Sequence, residues 1–255
     1  MKKKLIIAGI IIALLITGII LYSHFVGPKG LIVKEQKIVN KKLPESFNGL
    51  KIIHFSDLHY GSTIGEKELK KAVKEINKYH PDIVLFTGDL LSDKKIKSEI
   101  LINELNKIDA NVGIYYVSGK NDSDKTSMIL NKTSFVNIDN TNKLIYYKGV
   151  TPINIIGYGS DISNDSEYFS ILLTHDPKNH NKVKNDLTFA GMTHGNQINI
   201  PLINKIIDID DSNYDSNYYQ FKNHEMYISN GLGTNKYQFR LFSHPSINVY
   251  RLYNN

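Results

Sequence analysis

The sequence predicts an α/β domain carried behind a single N-terminal membrane helix. Three observations lead there. Leu5 to Tyr22 contains no charged side chain. From Lys51 to Val117, β-branched apolar runs alternate with amphipathic helical stretches, the rhythm of parallel strands with helices on their faces. From Phe135 onward, short apolar runs follow one another between Asn, Lys and Gly, so the second half is rich in strands.

At about 1.5 Å per helical residue, Leu5–Tyr22 spans roughly 27 Å, close to the hydrocarbon thickness of a bilayer. A cleaved signal would carry small residues at its end, whereas Ile19-Ile20-Leu21-Tyr22 stands there. Lys2, Lys3 and Lys4 precede the run, which places the N-terminus inside the cell and the domain outside, as a single-pass protein of the cell membrane. Residues 1–26 are thus an anchor, 27–49 a linker with edge strands, and 50–255 the domain. Gly27-Pro28-Lys29-Gly30 breaks the helix; Leu31-Ile32-Val33 and Gln36-Lys37-Ile38-Val39 read as two short strands.

Lys51–Phe55 is the first buried strand. Glu66–Tyr79 is a helix, because Leu69, Ala72, Val73, Ile76 and Tyr79 share one face, and Pro81 stops it. Asp82–Phe86, a helix over Ile96–Ile108, and a strand over Ile114–Val117 continue the rhythm. Further strands are expected at Phe135–Ile138, Leu144–Tyr147, Ile153–Ile156, 170–174, 187–190, 226–229 and 247–252. Asp208–Asn217 reads as a polar loop.

Polar tips follow the apolar runs: Asp57-x-His59, Gly88-Asp89, His175 after Leu172-Leu173-Thr174, and His194 after the run ending at Ala190. In an open α/β sheet such tips meet in one crevice at the carboxyl ends of the strands, and two Asp with three His make a metal site. The chain has no cysteine, so any metal must be held by oxygen and imidazole. The formal charge is +6, half of it from Lys2, Lys3 and Lys4, with no basic stripe interleaved with aromatics. A nucleic-acid partner is therefore not expected; anionic lipid or phosphate ligands fit the mildly basic balance. His54, His80, His24, His180, His224 and His244 lack paired spacing and read as packing, helix-end or surface residues. Tyr218, Tyr219, Phe221 and Tyr227 suit either strand packing or a lipid or substrate groove.

Asp57-x-His59, Gly88-Asp89, Gly119-x-Asn121-Asp122, Leu173-x-His175-x-Pro177 and Gly191-x-Thr193-His194-Gly195-x-Gln197 occur in an order that resembles the calcineurin-like metallophosphoesterases. The resemblance runs from about Leu43 to Leu252 and is greatest to the bacterial branch in which such a domain follows a membrane anchor or export signal. It implies two packed mixed β-sheets flanked by helices. It also implies Asp57, His59 and His194 as ligands of a first divalent metal (Mn, Zn or Fe), Asp89 as the carboxylate bridging two metals, and His175 as a ligand of the second. Gly231-Leu232-Gly233-Thr234 resembles the family's closing turn. Two cations so held clamp a phosphate, acidify water and stabilise the departing oxygen.

Two motifs depart from that pattern. Met192 stands where the family has a histidine ligand of the second metal, and a thioether is a poor ligand for a hard cation. The family's Gly-Asn-His-Asp/Glu reads Gly119-Lys120-Asn121-Asp122 here. Without a gap, Lys120 replaces the asparagine ligand and Asn121 the catalytic histidine; slipped by one, Asn121 keeps the ligand role and Asp122 lies at the histidine's place. The slipped register avoids an ammonium beside a dication. Either way the second site is weakened and no catalytic residue is identified. Lys120 is then a candidate phosphate-binding residue. The expected function is a membrane-surface phosphohydrolase of reduced activity, acting as phosphodiesterase or phosphomonoesterase on a phosphorylated small molecule, lipid or wall polymer. The alternative is an impaired descendant that binds phosphorylated ligands or a protein partner.

Overall fold

The computed structural model describes every residue except 93–95, 160–162, 164–166, 201–213 and 236. Most of the polar 208–217 stretch therefore lies outside the described residues. Helix α1 runs from Lys2 to Phe25. It is long and apolar enough to cross a membrane, and none of its apolar window is buried against the domain.

Two six-stranded sheets follow. The first has the order β1-β12-β2-β3-β4-β5, from β1 (Ile32–Val39), β2 (Lys51–Phe55), β3 (Ile83–Phe86), β4 (Gly113–Tyr116), β5 (Phe135–Asn137) and β12 (Ser246–Tyr253). The second has the order β10-β11-β9-β8-β7-β6, from β6 (Thr141–Ile145), β7 (Ile153–Gly157), β8 (Ser170–Thr174), β9 (Leu187–Ala190), β10 (Tyr218–Gln220) and β11 (Glu225–Ile228). Both are mixed: β2 to β5 run parallel while β12 is antiparallel to β2, and β7, β8, β9 and β11 run parallel while β6 and β10 are antiparallel edges.

Alternation of side chains builds the layers. In β2, Ile53 and Phe55 face outward and pack with Leu69, Ala72, Val73 and Ile76 of α2 (Glu66–Lys78) and Leu101 and Leu105 of α3 (Ser98–Leu105). Ile52, one residue away, faces the other sheet and joins Leu85, Tyr115, Leu173, Phe189 and Tyr250 in the core between the sheets. The central strands are covered on both faces, which is why Ile83-Val84-Leu85-Phe86 is apolar without interruption.

Several element readings change. The two short strands expected after the anchor are one eight-residue strand, β1, held in parallel register along all of β12. Pairing with a chain end some two hundred residues later continues it across the charged Lys34 and Glu35. The strand expected at Leu144–Tyr147 is β6, three residues earlier, because its antiparallel register with β7 pairs Thr141 with Gly157 and Ile145 with Ile153. A short helix α4 (Asp124–Leu130) lies unanticipated behind the Gly119–Asp122 turn, capped at Ser123 and burying Ile129 and Leu130. Tyr218 and Tyr219 belong to edge strand β10.

Candidate metal centre

The polar tips leave the carboxyl ends of β2, β3, β4, β8 and β9, all on one edge of the sandwich. Asp57 N–H donates to the Gly88 carbonyl at 2.8 Å and His59 N–H to the Asp89 carbonyl at 3.1 Å, locking the first two tips together. Asp57, His59, Asp89 and His194 all adopt positive φ, between 42° and 60°. A left-handed backbone is costly for such residues and persists where surrounding structure over-determines it, as at functional sites. At Gly88 (φ +87°) a Cβ would overlap the Gly119 backbone, and at Gly119 it would overlap the Asp89 carboxylate, so close backbone contact requires glycine at both.

The ligating atoms of Asp57, His59 and His194 lie within 4.8 Å of one another, and so do those of Asp57, Asp89 and His175. Asp57 belongs to both groups. Asp89 Oδ2 is 3.5 Å from both His59 Nε2 and His175 Nε2, a bridging position, while His194 Nε2 is 3.4 Å from Asp57 Oδ1. His175 Nδ1 donates to the Thr87 carbonyl at 2.7 Å and His194 Nδ1 to the Gly233 carbonyl at 3.4 Å, which turns both Nε2 atoms into the site. Asp57 Oδ1, His59 Nε2 and His175 Nε2 are buried without a hydrogen-bond partner. Buried polar atoms are nearly always partnered. Three orphaned donor-set atoms converging on one space fit a divalent cation held by oxygen and nitrogen.

Asn121 touches Asp89 twice: its N–H donates to Oδ1 at 2.8 Å and its amide nitrogen to Oδ2 at 2.7 Å. Asp122 turns away. Its carboxylate accepts from the N–H groups of Asp89, Leu90 and Gly119 and from the Thr126 hydroxyl, so it serves as the clasp of this turn. Lys120 is exposed and lines both cavities beside the centre. The larger, about 610 Å³, is also lined by His59, Asn121, Asn235 and Gln238. The smaller, about 260 Å³, is shared by His175 and Met192. Among the described residues lining them, His59 and His175 are the imidazoles.

Burial lowers His59 and His194 to about 4 despite the opposing charges of Asp89 and Asp57, so both are neutral and ready to ligate at neutral pH. Burial also acts to lower His175, but the Asp89 carboxylate 3.5 Å from its Nε2 and the charge of Asp57 outweigh that and raise it to about 9. A cation joining His175 must displace a proton; one joining His59 and His194 need not. From about pH 8 down to 6, affinity at the His175 position is expected to fall roughly 100-fold while the His59/His194 position holds constant, as checked by manganese titration with proton-release calorimetry.

Arg240 was not legible as part of this site. It is 1% exposed and donates to the carbonyls of His194, Asn230, Gly231, Gly233 and Ser243 at 2.6–3.3 Å. It binds the His194 loop to the Gly231–Gly233 turn, whose Gly233 N–H in turn holds the Asp57 carbonyl at 2.7 Å. His54 is buried, with Nε2 2.9 Å from Thr87 Oγ1, as a packing residue. His180 and His224, read as unpaired, meet: His180 Nδ1 lies 2.7 Å from His224 Nε2 and both rings stack on Phe221.

Residues 50–249 match the calcineurin-like phosphoesterase family, and the chain belongs to it. It is 27% identical over 253 residues to an uncharacterized metallophosphoesterase, YkuE, of Bacillus subtilis (strain 168), covering 91% of this chain and 88% of that one. It is 25% identical over 292 residues to the UDP-2,3-diacylglucosamine pyrophosphatase LpxG of Chlamydia muridarum, covering 82% of this chain and 86% of the relative. A transmembrane protein with metallophosphoesterase domain from Danio rerio is 32% identical over 116 residues, 44% of this chain and 26% of that protein.

Proposed function

We propose that this member of the calcineurin-like phosphoesterase family is a membrane-anchored, metal-dependent phosphohydrolase with one firm and one weak metal position. The observation that carries the reading is the set of buried, unpartnered ligand atoms on Asp57, His59 and His175. Asp57, His59, His194 and Asp89 would hold the first cation; Asp57, Asp89, His175 and the Asn121 amide, turned to present its oxygen, the second. Divalent cations here supply Lewis-acid polarisation of a phosphoryl oxygen and a more acidic coordinated water. Around them the chain's own residues bind and orient. Lys120 offers a cation to substrate phosphate from the rim, and the buried walls exclude bulk water from the carboxylates.

The second position is weakened because Met192 faces it from the cavity it shares with His175. The contact of Asn121 with Asp89 supports the register in which Asn121 is a ligand. Asp122, held by four donors, is then unsuited to deliver a proton. Loss of a general acid typically costs on the order of 10²–10⁴-fold. Hydrolysis of bis(p-nitrophenyl) phosphate is therefore expected to be slow and stimulated by excess manganese. Met192→His should tighten the second metal and raise turnover by roughly tenfold or more. A folded, two-metal Met192→His chain with no hydrolysis would instead favour a protein that binds phosphorylated ligands without cleaving them.

The relative named for cleaving UDP-2,3-diacylglucosamine supports a phosphate ester or anhydride on a lipid as substrate class. A phosphorylated wall polymer or small molecule has the same reacting group. The three lysines ahead of the anchor support a domain outside the cell, so protease added to intact cells should digest it.

A further inference from the structure

The last turn of α1 is bonded directly to the wall of the metal cleft. The Arg240 N–H donates to the Ser23 carbonyl at 2.8 Å. His24 Nδ1 donates to the Gln238 carbonyl at 3.1 Å, and its ring lies 5.0 Å from that of Phe239. Gln238 also lines the 610 Å³ cavity with His59, Lys120 and Asn121. One residue thus joins the end of the anchor to the space beside the metal centre.

Depth follows from length. Leu5 to Val26 at about 1.5 Å per residue spans roughly 33 Å, so Phe25 and Val26 fall at the boundary of the hydrocarbon. Whatever touches Ser23 and His24 lies at that boundary as well. The 237–242 segment does, and it turns large apolar groups outward: Tyr237 is 53% and Phe242 67% exposed, as is Phe25 at the end of α1, at 59%. Phe242 moreover sits at φ +57°, a backbone that asparagine or glycine adopts at less cost. An aromatic residue kept outward there makes sense against a membrane interface, where amphipathic and aromatic side chains concentrate. Lys29 and Lys71 line one small cavity with Pro28 and Glu68 next to the helix end, and the net positive charge left there suits anionic headgroups.

We propose that Tyr237–Phe242 and the last turn of α1 form a lip seated in the outer face of the bilayer. The metal cleft then opens at headgroup level and receives phosphate groups carried on lipids that stay in the membrane. The lipid-substrate part rests on the phosphohydrolase reading; the lip does not.

The chain has no tryptophan, so single-tryptophan variants report depth without background. The full-length protein is reconstituted in phosphatidylcholine–phosphatidylglycerol vesicles with brominated acyl chains. Phe242→Trp should emit to the blue and lose roughly half or more of its intensity to bromine. Val150→Trp should lose little. Val150 follows β6 near Tyr147, whose hydroxyl contacts Asp82 at the start of β3, on the opposite edge of the sandwich. Equal quenching of the two would overturn the lip, whether or not the protein hydrolyses anything. In the second arm, phosphatidic acid in the vesicles and glycerol phosphate in solution compete with manganese-dependent hydrolysis of bis(p-nitrophenyl) phosphate. The lipid should inhibit more strongly, and Phe242→Asn, which eases the backbone, should weaken that advantage by about tenfold without altering hydrolysis of the soluble ester. Inhibition by lipid no better than by glycerol phosphate would overturn delivery from the membrane. Loss of all hydrolysis would strike the phosphohydrolase reading and leave the quenching result standing.

Discussion

Asp57→Asn is expected to empty both metal positions while leaving the protein folded. Asp57 is the carboxylate common to the two ligand groups. Its Oδ2 is held by the Ser56 hydroxyl and, at 3.1 Å, by the Met192 N–H, whereas Oδ1 is buried without a partner. Asparagine keeps the volume and removes the charge. Charge stabilisation worth several kcal/mol is lost with the cations, so hydrolysis should fall by roughly 10³-fold or more. Stability should move the other way without metal, because Asp57 and Asp89 are two buried carboxylates in one site. Thermal melts with and without manganese separate the effects: the wild type should gain Tm with metal, while the variant should start higher and gain nothing. His175→Ala removes a member of the second group alone and should leave one cation bound. A variant that still bound two cations would show that Asp89 and the histidines suffice.

Arg240→Met should have the largest effect on folding stability of any single change at the site. Its guanidinium is surrounded by main-chain carbonyls of His194, Asn230, Gly231, Gly233 and Ser243. Those carbonyls have no access to water once the side chain is gone, and removing one partner of such a buried charged network costs about 3–5 kcal/mol. Arg240→Lys retains the charge but not the planar fork, and should recover only part of the loss. A purely structural role would lower the urea midpoint and leave the metal site of the surviving folded protein unchanged. Positioning predicts that manganese affinity also falls, since His194 and the Gly233 carbonyl that orients its ring both hang on this residue. Unchanged affinity in folded Arg240→Lys would confine Arg240 to stability.

Much of this was legible because the signals are local. An uncharged apolar run reports a membrane-capable helix by length alone, and a β-branched run ending in Asp57-x-His59 reports a buried strand with ligands at its tip. Met192 was legible for the same reason: its side-chain chemistry does not depend on where the chain goes. The strand register was not. β6 begins three residues early because β7 aligns it, and β1 is continuous because the distant β12 runs beside it. Hydrogen-bonded partners supplied by another strand overrode local polarity there. The short α4 fell below the length at which helical periodicity separates from chance.

The sequence by itself determined most of the element types, the family, the ligand candidates Asp57, His59, Asp89, His175 and His194, and the thioether of Met192 where the family has a histidine. Only the tertiary structure decided that Asp57 is shared by both ligand groups, that Asn121 and not Lys120 lies against Asp89, and that Asp122 is a clasp. It also decided that Arg240 organises the His194 loop and that Gln238 ties the cleft to the anchor. The reason is physical. A side chain carries its own charge, donors and polarity wherever it is read, but main-chain carbonyls are chemically alike at every position. Which of them converge on a guanidinium, or on the end of a membrane helix, is set by contacts between residues far apart in the chain.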